Sequence, residues 1–169
     1  VMIELRAKMQ EYYEHLGDLE KLKELEFIKI TLENKTAIGG QDGLLKLNTS
    51  LTMLENSIKI HNVSEEVFEL RIIIETINQV FIKNMEVLRE IEEIIHIPFN
   101  QSEADELAQK TQILQEIIDD EYPDQKIISK AEELKELINA NIKDFHISHQ
   151  IKNINMTLGN MHQSWSSGN

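Results

Sequence analysis

From Val67 onward apolar side chains recur at alternating steps of three and four residues: Val67, Leu70, Ile74, Ile77, Phe81, Leu88, Ile91 and Ile95, with Asn84 the polar member of the series. Such spacing keeps all nine positions on one side of a helix and would scatter them to both faces of a strand. One long helix is therefore predicted over at least residues 66–94. A second row, Ile73, Val80, Val87 and Ile94, repeats every seven residues beside the first. It widens the apolar seam into the broad face that a helix inside a bundle buries.

The same reading divides the rest of the chain into four more helices. The first is predicted from about 2 to 33. Met2, Leu5, Met9, Tyr12, Leu16 and Leu19 lead its stripe, which continues through Leu22, Leu25, Ile28 and Leu32. Gly39, Gly40 and Gly43 then break the pattern, since glycine tolerates positive φ. A second helix over about 42–60 carries Leu44, Leu47, Leu51, Leu54 and Ile58, with Asp42 as its expected N-cap. Ser64 and Ser102 are the expected caps of the third and fourth helices; Leu107, Leu114 and Ile118 point the fourth inward. Pro123 suits a helix start and opens the fifth. That last helix bears two stripes, Ile127, Ala131, Leu134, Ile138, Ile142 and Phe145, then Ile147, Ile151, Ile154, Leu158, Met161 and Trp165, the second offset from the first. With no strand alternation and short connections, the expected fold is all-α: an elongated antiparallel bundle of about five helices, packed in coiled-coil fashion, as one domain over 1–169. The chain already starts inside a helical pattern, so a longer parent chain is expected.

Composition narrows the class. At 41% hydrophobic and 28% charged, the 169 residues suit a folded domain with a sizeable core. With only 5% aromatic residues, that core is built from Ile, Leu and Met. There is no cysteine, which removes disulfides, thiolate metal sites and a cysteine nucleophile, and mildly favours the cytoplasm. No apolar run is long enough for a transmembrane helix, so no membrane insertion is expected of this segment. The net charge is −13, and residues 86–124 hold twelve acidic residues against Arg89 and Lys110. That sign opposes nucleic-acid binding, which depends on neutralising phosphates, and binding to anionic lipid. A solvated acidic face is the simpler reading, a dock for a basic partner the second.

Reaction chemistry is sparse. Glu93 and His96 match one half of a di-iron motif, but a second Glu-x-x-His is missing. His146 and His149 have ligand spacing, with Glu11, Glu14 and His15 as distant candidates, yet six histidines readily produce such a pair. The turn from Gly39 to Gly43 resembles a phosphate cradle without the Lys-Ser/Thr that a P-loop needs; it reads as a flexible connector. The acidic run 119–124 lacks the spacing and central glycine of a calcium loop. Five Asn-x-Ser/Thr sequons, at Asn34, Asn48, Asn62, Asn100 and Asn155, matter only in a eukaryotic secretory compartment; helix starts account for Asn62 and Asn100. Asn84 either sets the register of a buried seam or turns to solvent.

No catalytic, cofactor or metal site is expected. The leading expectation is a non-enzymatic protein that works by association, as a small subunit or scaffold of a larger assembly, in the cytoplasm. After Asn141 the charges thin to Lys143, Asp144 and Lys152, unusually few for an isolated surface helix. Ile151, Ile154, Leu158, Met161 and Trp165 are accordingly the expected contact row for a protein partner, including a second copy, with 147–165 as a partner-binding extension. The alternative is an extracytoplasmic ligand-sensing bundle from a bacterial receptor, in which helix shifts carry the signal.

Overall fold

The computed structural model describes residues 1–97 and 99–167, the last five of these without their side chains. Among the described residues the chain forms five α-helices and no strand, and the helices pack against one another as a bundle. They are α1 (Met2–Glu33), α2 (Gly40–Ser57), α3 (Ser64–Ile95), α4 (Gln101–Ile118) and α5 (Gln125–Ser167). The all-α expectation holds, and α3 runs unbroken past Asn84 as its seam requires. The chain divides into two compact units, with α3 and α5 contributing to both: Val1–Glu86 with Asp119–Ile128, and Val87–Ile118 with Ser129–Asn169.

In the first unit, Leu25, Ile28 and Leu32 of α1, Leu44, Leu51 and Leu54 of α2, and Val67, Leu70, Ile74, Ile77 and Phe81 of α3 form the core. The second unit is built on Leu88, Ile91 and Ile95 of α3, Ala104, Leu107, Leu114 and Ile117 of α4, and Ala131, Leu134 and Ile138 of α5. Every apolar member of the α3 seam is thus buried. Its companion row is not: Val80 and Val87 are half-buried, while Ile73 and Ile94 are exposed, so the row is the edge of the buried face.

The helix starts depart from expectation in an instructive way. Asp42 lies inside the first turn of α2, whose N-cap is Gly39 in the left-handed region at φ 76°. Ser64 is the first helical residue of α3, and its N–H is taken by the Asn62 side chain at 3.1 Å. For α4 the cap is Asn100, not Ser102: Glu103 N–H donates to Asn100 Oδ1 at 3.0 Å while Asn100 N–H donates to Glu103 Oε2 at 3.3 Å. This reciprocal pair satisfies two N–H groups that would otherwise lack partners. Pro123 precedes the cap of α5, which is Asp124. At the other end of α2 the helix stops at Ser57, with Ile58 already extended. In α4, Ile117 is buried where Ile118 was expected, and Ile118 is half-buried.

Candidate functional site

The two ends of the chain share a construction that the core does not. In α5 the buried series reaches Ile138, and Ile142 and Phe145 are half-buried. Nine residues separate Ile138 from Ile147, Ile142 from Ile151 and Phe145 from Ile154, about two and a half turns in each case. The second stripe therefore lies on the side of the helix opposite the first. The last ties to the unit core fall just before this change: Asn141 Nδ2 donates to the Ile95 carbonyl at 3.5 Å, and the Phe145 ring sits 5.3 Å from that of Phe99. From His146 to His162 every residue is exposed. Ile147, Ile151, Ile154, Leu158 and Met161 retain between 44% and 63% of their surface in water. The Trp165 side chain, predicted to end this row, lies outside the described residues.

α1 does the same in reverse. Met2, Leu5, Met9, Tyr12, Leu16 and Leu19 are all exposed, from 74% for Met2 to 41% for Leu16 and Leu19. The sequence predicts that they continue into Leu25, Ile28 and Leu32; in the structure those three are buried and the earlier six are not. Leu16 and Leu25 are again nine residues apart, and the phase shifts by half a turn. The buried register instead extends back seven residues from Leu25 to Asp18.

Asp18 is a residue that sequence reasoning missed. Its carboxylate is buried, and it accepts N–H bonds from Lys59 at 3.0 Å, Ile60 at 2.8 Å and His61 at 3.0 Å, with His61 Nδ1 at 3.1 Å. The chain leaving α2 thus wraps its free amides around one anion. The Lys59 amide, together with the His61 ring and the Ile60 and His61 amides, holds the Asp18 carboxyl far below the ordinary carboxylate range, outweighing the burial that pushes it up. The His15 ring packs on His61 at 5.0 Å. The heptad relation to Leu25 and Leu32 was the available signal, an acid standing at a core position.

The glycine-rich turn is clasped by the Asp124 carboxylate. Gly39 and Gly40 both have positive φ, and a Cβ on Gly40 would stand 2.7 Å from Asp124 Oδ2. One Asp124 oxygen accepts the Gln41 N–H at the start of α2, at 2.8 Å; the other accepts Lys126 N–H at 2.9 Å and Ile127 N–H at 3.3 Å at the start of α5. The position a bound phosphate would take is filled by the protein's own carboxylate. Neighbouring acids are engaged too. Asp120 accepts Asn84 Nδ2 and the Tyr122 N–H, both at 3.0 Å, and Glu121 pairs with Lys35. Asn84 is half-buried and turned to this loop, which resolves the two readings of it in favour of an internal partner.

His146 and His149 are both exposed and pack about the Phe145 ring, with centroids at 5.7 and 6.0 Å. Among the described residues no group of three or more His, Cys, Asp or Glu is placed to hold a metal ion. A groove of about 260 Å³ in the first unit has Leu25, Leu32 and Leu70 in its floor, and its glutamates, Glu26, Glu33, Glu66 and Glu69, stand exposed at the rim. Among the described residues no helix is long and apolar enough to cross a membrane. The chain matches no known family, no curated protein and no solved structure.

Proposed function

We propose that this protein is a non-enzymatic helical bundle that mediates protein–protein association, as a small subunit or scaffold domain of a larger assembly. The contact row is Ile151, Ile154, Leu158, Met161 and Trp165. One observation supports this above the rest: Ile147, Ile151, Ile154, Leu158 and Met161, the described members of the heptad-spaced apolar row, stand in water on the side of α5 opposite the side its own unit buries. Soluble proteins scatter single apolar residues over their surfaces, and a contiguous row of five large ones marks a surface that another helix covers. The buried polar clusters favour a scaffold as well. The Asp18 and Asp124 carboxylates are occupied by backbone donors, so their chemistry is spent on holding helix ends.

The test is to capture partners from the source cells with the wild-type chain and with an Ile154→Glu/Leu158→Glu variant. The reading expects specific partners held by the wild type and lost by the variant, with unchanged helix content and melting temperature. A variant that keeps every partner contradicts it.

A further inference from the structure

The outward row of α1 is an exposed apolar face separate from the α5 row, and charges flank it. Taking Met2, Met9 and Leu16 as a positions and Leu5, Tyr12 and Leu19 as d positions, the e positions are Arg6, Tyr13 and Glu20 and the g positions Val1, Lys8 and His15. These flanks set orientation and partner choice when two helices pack along such a seam. The chain as a whole carries −13, so two copies repel in general. This face is the exception, with Arg6 and Lys8 against Glu20.

We propose that two copies of this chain pair antiparallel along α1 between Met2 and Glu20. In that register Met2 of one copy layers on Leu19 of the other, Leu5 on Leu16, and Met9 on Tyr12, so every apolar residue of the row meets an apolar residue. The same register sets Arg6 of each copy against Glu20 of the other, one ion pair at each end, with Tyr13 facing Tyr13 between them. A single like-charge meeting, Lys8 with Lys8, falls at the centre, where Glu4 and Glu11 stand one turn away on either side of each lysine. Parallel pairing loses the arrangement: it sets Lys8 against Tyr13 and His15 against Glu20, and no Arg–Glu pair forms. All six apolar side chains are exposed, on the side of α1 away from Leu25 and Leu32, and Arg6 and Glu20 are exposed on the flank of that row. Covering the row on both copies removes on the order of 1,000 Å² from water, the lower range for a specific interface. A reversible dimer is the expected product.

Sedimentation equilibrium of the full chain tests this with charge reversal. The wild type should dimerise in the micromolar range. Arg6→Glu and Glu20→Arg should each place like charges at both ends and raise the dissociation constant about tenfold. The double variant R6E/E20R should return it to within about threefold of wild type, a rescue that only this register supplies. Both positions are exposed, so helix content and melting of the monomer serve as folding controls. A wild type that stays monomeric at hundreds of micromolar overturns the proposal, as do single reversals without effect or without rescue. A dimer that survives R6E and is abolished by Leu158→Glu also overturns it, while leaving the α5 reading intact.

Discussion

Two buried carboxylates do much of the work that turn sequences do in other helical proteins. Asp124 serves two helix starts at once, and Gly40 is the residue that lets it approach. A methyl group at position 40 would meet the carboxylate and force a side chain into the left-handed region, so Gly40→Ala should lower unfolding free energy by about 2 kcal/mol or more in denaturant titration. Gly159→Ala, whose Cβ meets nothing within 4 Å, is the matched control and should be neutral or slightly stabilising. Asp18 makes stability depend on pH. Its folded carboxyl is depressed below its ordinary value of 3.8, so the contribution is fully present above that value and is lost as pH falls through the folded one. Melting temperature should therefore fall on acidification below about pH 4, and Asp18→Asn should lower the neutral-pH value while flattening that limb. An acid limb that is as steep in the variant would assign it to other carboxylates. Neither residue was legible as a site. An acid at a heptad position looks like a solvated one until the amides that surround it, contributed from some forty residues away, are in place.

The helices themselves were legible because period alone decides them. The α3 seam predicted both the length of the helix and every apolar residue it buries; its companion row was overcalled because periodicity reports a face and says nothing of how far the neighbours reach round it. Helix starts failed for a similar reason. Ser64, Ser102 and Asp42 are good capping residues, but Gly39, three positions before Asp42, and Asn100, two before Ser102, took those roles, and the Asn62 side chain takes the Ser64 N–H. For α1 the register was read through a half-turn change that continuous apolar content concealed, whereas in α5 the offset was visible. This difference makes a prediction at the level of the element. Replacing Leu134 or Ile138 by Ala should cost about 2–5 kcal/mol, as both are fully buried. Ile154→Ala or Leu158→Ala should shift the melting free energy of the isolated chain by no more than about 0.5 kcal/mol. A large loss at Leu158 would mean that its own chain covers the row.

At the scale of the molecule, the features that carry energy and those that stand idle are cleanly separated. The units between Asp18 and Phe145 bury their apolar seams and satisfy their polar groups: among the described residues no buried side-chain nitrogen or oxygen lacks a hydrogen-bond partner. Beyond those limits α1 and α5 continue as helices whose described side chains touch water on nearly every side, yet retain heptad-spaced apolar rows. Short isolated helices are marginal in water, so segments of this kind gain their stability from something packed along them. The proposed association follows from that separation. Hydrogen exchange read by mass spectrometry tests it most directly, comparing the dilute chain with the chain in its native assembly. The account predicts rapid exchange of amides 2–17 and 147–162 in the dilute chain and selective slowing of 147–162 on assembly, with the core of α3 unchanged. Protection confined to α2, α3 or α4, or no slowing in 147–162 while a partner is bound, would contradict it.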